Sequence, residues 1–74
     1  MNNERLVIMA NQIGDFYESF PDSAEAKKEI ADHLNKFWAL SMRRQILAHV
    51  QQQQETGLHP MVGEAIKEHL THLG

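Results

Sequence analysis

Lys36-Phe37-Trp38-Ala39-Leu40-Ser41-Met42-Arg43-Arg44-Gln45-Ile46-Leu47-Ala48-His49-Val50 contains the break between two helical patterns. It also holds the only Trp, the only adjacent arginines and three of the seven Lys and Arg side chains. Upstream of the break, Ala26, Ile30, Leu34 and Phe37 recur at helical steps, with Ala31 and Trp38 beside them. Downstream, Met42, Ile46, Leu47 and Val50 do the same. A short connection around Ala39-Leu40 is therefore expected, with Ser41 capping the next helix. On this reading Phe37 points inward and the arginines outward, while Trp38 fits either the core or an interface. A large aromatic beside an arginine pair suits a docking surface better than an active site.

Working outward toward the start, Leu6, Met9, Ala10, Ile13, Phe16, Tyr17 and Phe20 form another helical stripe. Val7 and Ile8 widen it beyond what one core contact needs. Asn2 or Asn3 is placed to cap this helix, and Glu4 suits its positive end. Gly14 sits inside it at a cost of about 1 kcal/mol relative to Ala, which a close approach by another element would explain. Phe20-Pro21-Asp22-Ser23 ends the helix, and Asp22 or Ser23 starts the next. With Asp22 as cap, Glu25 completes a capping box.

Toward the other end, Gln51-Gln52-Gln53-Gln54 continues a helix because glutamine has good helical propensity. Gly57 is the expected stop and Pro60 the first turn of a last helix, whose apolar side is Val62, Ala65, Ile66, His69, Leu70 and Leu73. The expectation is all-α: a single domain over residues 1–74, a small bundle of three to four helices with short connections. The helices are placed at about 3–19, 23–38, 42–55 and 60–73.

Composition narrows the function classes. The chain has 74 residues and no cysteine, so disulfides, thiolate metal sites and thiol catalysis are excluded. A domain this small hides only about 60% of the surface its unfolded form exposes, and a partner is a common way to cover what remains. Met1-Asn2-Asn3-Glu4-Arg5 is not a basic leader and the apolar run behind it is short, so a cytoplasmic location without signal peptide or membrane span is expected. Net charge is −4 over residues 1–35, +3 over 36–50 and −2 over 51–74. That overall acidity argues against nucleic-acid binding, which needs a face neutralising several phosphates. Arg43 and Arg44 are enough for a bidentate grip on carboxylates. They also stand in the first turn of their helix, where its field disfavours cations.

No pattern of enzyme chemistry emerges. His69 and His72 share a helix face, but further metal ligands would have to come from His49, His59 or Glu68 without a recognised spacing. Scattered surface histidines explain them better. Glu25/Glu29 and Glu64/Glu68 are carboxylate pairs, yet Glu-x-x-His does not occur. Ser19, Ser23 and Ser41 fit helix ends. His33 is either a solvated surface group or faces a partner.

Two blocks carry a family resemblance. The first is Met9-Ala10-Asn11-Gln12-Ile13 with Phe16, Tyr17 and Pro21. The second is His33-Leu34, Phe37-Trp38, Met42-Arg43-Arg44-Gln45 and Leu47. Together they resemble the delta subunit of soluble NAD-dependent formate dehydrogenases of the molybdenum- or tungsten-containing, multi-subunit kind. Members of that family often carry a proline just before the arginine segment, where Leu40-Ser41 stands here. The resemblance implies a small accessory subunit with no active site and no cofactor of its own. It would bind the large catalytic subunit, which carries the bis-molybdopterin guanine dinucleotide and iron–sulfur clusters, and support cofactor insertion or retention. The implied partner-binding residues are Trp38, Met42, Arg43, Arg44, Asn11 and His33. Two alternatives remain open: a transient assembly chaperone for that enzyme, and a self-associating helical interaction domain that forms a homodimer when isolated.

Overall fold

The computed structural model describes residues 2–73, so Met1 and Gly74, the ends of the expected domain, lie outside the described residues. It is an all-α bundle with short connections: α1 (Asn3–Tyr17), α2 (Ser23–Phe37), α3 (Leu40–Gln52) and α4 (Pro60–His69), followed by a 3₁₀ turn at Thr71–Leu73. Each start has a local cause. Asn2 Oδ1 accepts from the Arg5 amide at 2.8 Å. Asp22 Oδ1 accepts from Ala24 at 3.0 Å and Glu25 at 3.4 Å. Before α4, His59 Nδ1 accepts from the Met61 amide at 3.2 Å, and Pro60 has no amide hydrogen to satisfy.

The start of α3 departs from expectation. Ser41 does not cap it; the N-cap is Ala39, with no side-chain hydrogen bond. The connection is only Trp38 and Ala39, both extended, and the Ala39 carbonyl accepts from Met42 and Arg43 at 3.0 and 3.1 Å. A two-residue break needs no proline to turn the chain. The end of α3 also comes early. Gln53 is extended rather than helical, and Gly57, at φ +78°, serves the following loop instead of closing the helix. Glutamine propensity is worth tenths of a kcal/mol per residue and yields to tertiary ties. His49 Nε2 donates to the Thr56 carbonyl at 2.9 Å, and the Asn11 amide holds the loop from the opposite side.

One core gathers Leu6 and Ala10 of α1, Ile30 and Leu34 of α2, Trp38, Ile46, Leu47 and Val50 of α3, and Val62, Ala65, Ile66 and Leu70. α4 lies against α2, and α1 meets the other three helices. Phe37 corrects the expectation that it points inward: it is 72% exposed, whereas Trp38 is 7% exposed and belongs to the core. The buried positions of α2 run 26, 30, 34 and on to 38. Phe37 falls about 100° back from Trp38, onto the flank of the helix.

Gly14 is where α1 meets the start of α4. A Cβ there would overlap the Val62 Cγ2 methyl and lie 3.6 Å from the His59 Cβ. Val62 is buried and β-branched, so it has little room to swing away. Gly14→Ala should therefore destabilise the fold. The overpacking penalty of about 1–3 kcal/mol outweighs a helix-propensity gain of roughly 1 kcal/mol. Urea unfolding would show a lower midpoint with an unchanged slope; a raised midpoint would mean that Val62 yields freely.

α2 and α4 are also tied at their surface. Lys27 Nζ donates to Glu68 Oε2 at 2.7 Å and lies 3.5 Å from Glu64 Oε2. The hydrogen bond to Glu68 raises the Lys27 pKa, and the same bond lowers that of Glu68. A raised lysine pKa stabilises below its ordinary 10.5 and the effect fades as pH rises through the folded value. A lowered carboxylate pKa stabilises above its ordinary 4.5 and is lost as pH falls through the folded value. The stability difference between the natural chain and Glu68→Gln should thus be level between these limits and shrink in acid. Its size is small because the Glu68 carboxylate is half exposed, although Lys27 itself is largely covered. Thermal unfolding across that range checks the sign, and a difference that grows in acid would contradict it.

Candidate partner-docking site

The residues expected to meet a partner occupy different positions. Trp38 is in the core and also lines a surface groove. Met42 is half-buried against the same core. Arg43 is half-buried and its Nη1 donates to Asn35 Oδ1 at 3.1 Å, while Arg44 is exposed. Asn11 is used internally at both ends of its amide. Nδ2 donates to the Gly57 carbonyl at 3.0 Å, and Oδ1 accepts from the His59 amide at 2.8 Å. It fixes the loop into α4, whose local chemistry does not announce such a tie.

His33 lines the groove. It is half-buried and its ring centre lies 4.7 Å from that of Phe37. The cavity, about 510 Å³, runs between α1 and α2 over Met9, Gln12, Ile13, Phe16, Tyr17, His33 and Trp38. Phe16 is 70% exposed at its rim, and Tyr17 packs edge-on against both Phe16 and Phe20, at 4.9 and 5.0 Å between ring centres. The α1 side of this groove was not among the expected contact residues. Its sequence signal was the stripe of Met9, Ile13, Phe16 and Tyr17 itself; Val7 and Ile8, which widen that stripe, do not line the groove, and Ile8 is exposed.

Among the described residues, Asp15, Glu18 and His59 have ligating atoms within 4.8 Å of one another. His59, considered in sequence alongside His69 and His72, is brought instead to α1. Its chemistry does not favour a cation. Nδ1 accepts the Met61 amide, so in the neutral ring the proton sits on Nε2, which faces Glu18 Oε2 at 3.8 Å. A metal at Nε2 would displace that proton and break the α4 cap. The cluster reads as a latch between α1 and α4. No described helix is long and apolar enough to cross a membrane.

The described residues thus form a small helical bundle with exposed aromatics, Phe16 and Phe37, beside a groove between α1 and α2, and with Arg44 exposed on α3. The family described as NADH-dependent formate dehydrogenase delta subunit, FdsD, matches residues 5–66. The chain belongs to that family. No curated protein and no solved structure matches it.

Proposed function

We propose that this chain is a non-catalytic accessory subunit of a cytoplasmic NAD-dependent formate dehydrogenase. It binds and stabilises the catalytic subunit and supports insertion or retention of the molybdenum cofactor there. The observation that carries this reading is the delta-subunit family match, which spans both α1–α2 and the arginine segment of α3. The surface agrees with it: Phe16 and Phe37 are each about seven-tenths exposed, beside a groove with room for a partner's side chains.

The test is expression of the catalytic subunit with and without this chain, followed by metal analysis of the purified enzyme. Lower molybdenum or tungsten content and less recoverable catalytic subunit without the chain are expected. Equal content and recovery would overturn the proposal. Stoichiometry in the mature enzyme then distinguishes a retained subunit, at one equivalent, from a chaperone that departs.

A further inference from the structure

Lys36, Arg43 and Arg44 stand at the Phe37–Leu40 corner, and none forms an ion pair among the described residues. No Asp or Glu occurs from His33 to Gln54, and Asp32, one helical turn before Lys36 on α2, forms no ion pair with it. Lys27 is the contrast, held by two carboxylates of α4. Leu40, 42% exposed, shares a helix face with Arg43 and Arg44, three and four residues on. The one polar side-chain contact of Arg43 is the neutral Asn35 amide, and its Nε is buried without an acceptor. Phe37 joins this cationic corner to the groove through its ring contact with His33.

We propose that groove and corner form one docking site, and that its occupant is an acidic amphipathic helix of the catalytic subunit. The proposal rests on the reading above and deepens it. The helix lays its apolar stripe along the groove and brings Asp or Glu side chains, at one end of that stripe, to Lys36, Arg43 and Arg44. A helix fits because Met9, Ile13 and Phe16 form a ridge at steps of four and three, the pattern into which another helix's side chains pack. An acidic one fits because Arg43 and Arg44 have no carboxylate partner, and Lys36 has near it along the chain only the unbonded Asp32, so covering them without acids would be costly. A second copy of this chain fits less well. The acids beside Phe16 and Tyr17 in sequence, Asp15 and Glu18, gather at His59 on the α4 side. An α1 laid into the groove would not bring them to the cations.

The test uses the complex of this chain with the catalytic subunit and a zero-length carbodiimide cross-linker, which joins a lysine amine to a contacting carboxylate. Lys36 should be joined to an Asp or Glu of the catalytic subunit, in a segment whose apolar residues recur at helical steps. Benzoylphenylalanine in place of Phe37 should photolabel the same segment. The double variant Lys36→Glu/Arg44→Glu should bind at least tenfold more weakly with a flatter salt dependence, whereas Lys67→Glu on α4 should bind as the natural chain does. A complex in which Lys36 stays unlinked and the double variant binds normally would overturn the inference while leaving the accessory role intact. Linkage of Lys36 to a second copy would overturn it in favour of self-association. Absence of any complex with the unaltered chain would overturn the accessory role and this inference together.

Discussion

Trp38→Ala is expected to leave the chain largely unfolded at 25 °C. Trp38 is the largest side chain of the core, 7% exposed, and joins Leu34 at the end of α2 to Ile46 and Leu47 of α3 within one cluster. Truncating a buried Trp or Phe to Ala costs about 3–5 kcal/mol, because the lost transfer energy is compounded by the cavity left behind. A domain of 74 residues has only about 4–11 kcal/mol in total, at roughly 0.05–0.15 kcal/mol per residue, and this thin core places it at the low end. The backbone sharpens the effect. The α2–α3 connection has two residues and no side-chain cap, so the indole is what anchors the turn. Circular dichroism with urea titration checks this. A midpoint lowered only slightly would mean that the two helices are held mainly by other contacts. Loss of partner binding in this variant would then report unfolding rather than a missing contact.

Phe37→Ala is expected to have the opposite signature: stability unchanged within about 0.5 kcal/mol, and binding to the catalytic subunit weakened about thirtyfold. At 72% exposure the ring contributes little to the core, and surface truncations of that kind are close to neutral. An aromatic anchor at the centre of a desolvated contact is worth about 2 kcal/mol or more, which corresponds to that factor. Calorimetry on the natural and variant chains with the catalytic subunit measures it. Equal affinities with equal stabilities would remove Phe37 from the docking surface. Read together, the two variants separate neighbours in sequence by function: Trp38 maintains the fold, and Phe37 presents a contact.

That separation marks the limit of what periodicity could convey. The stripe at Ala26, Ile30 and Leu34 continues equally well through Phe37 or Trp38, one three residues on and the other four. Only the drift of the buried face, together with the extended backbone at Trp38 and Ala39, decides between them. Ser41 looked like a cap because it has the right chemistry one residue before an apolar run. The chain instead starts α3 at Leu40, directly after the extended Trp38 and Ala39, with Trp38 in the core. The polar ties across the bundle were equally silent. Asn11 meets Gly57 and His59 from 46 and 48 residues away, and nothing near Asn11 distinguishes it from a surface amide.

Sequence alone determined that this chain is an all-α bundle, because apolar spacing, capping residues at Asn2-Asn3 and Asp22-Ser23, and Pro60 are local properties of neighbouring residues; the structure chose Asn2 and Asp22 as the caps. It also determined the charge asymmetry around the arginines and the absence of thiol chemistry, which are matters of composition. Tertiary structure alone decided which aromatic is core and which is surface, where α3 stops, and that Met9, Ile13 and Phe16 border an open groove with His33. Those outcomes depend on how helices distant in the chain divide a core too small to cover every apolar face. Phe16 and Phe37 remain outside it and mark the surface proposed for the partner.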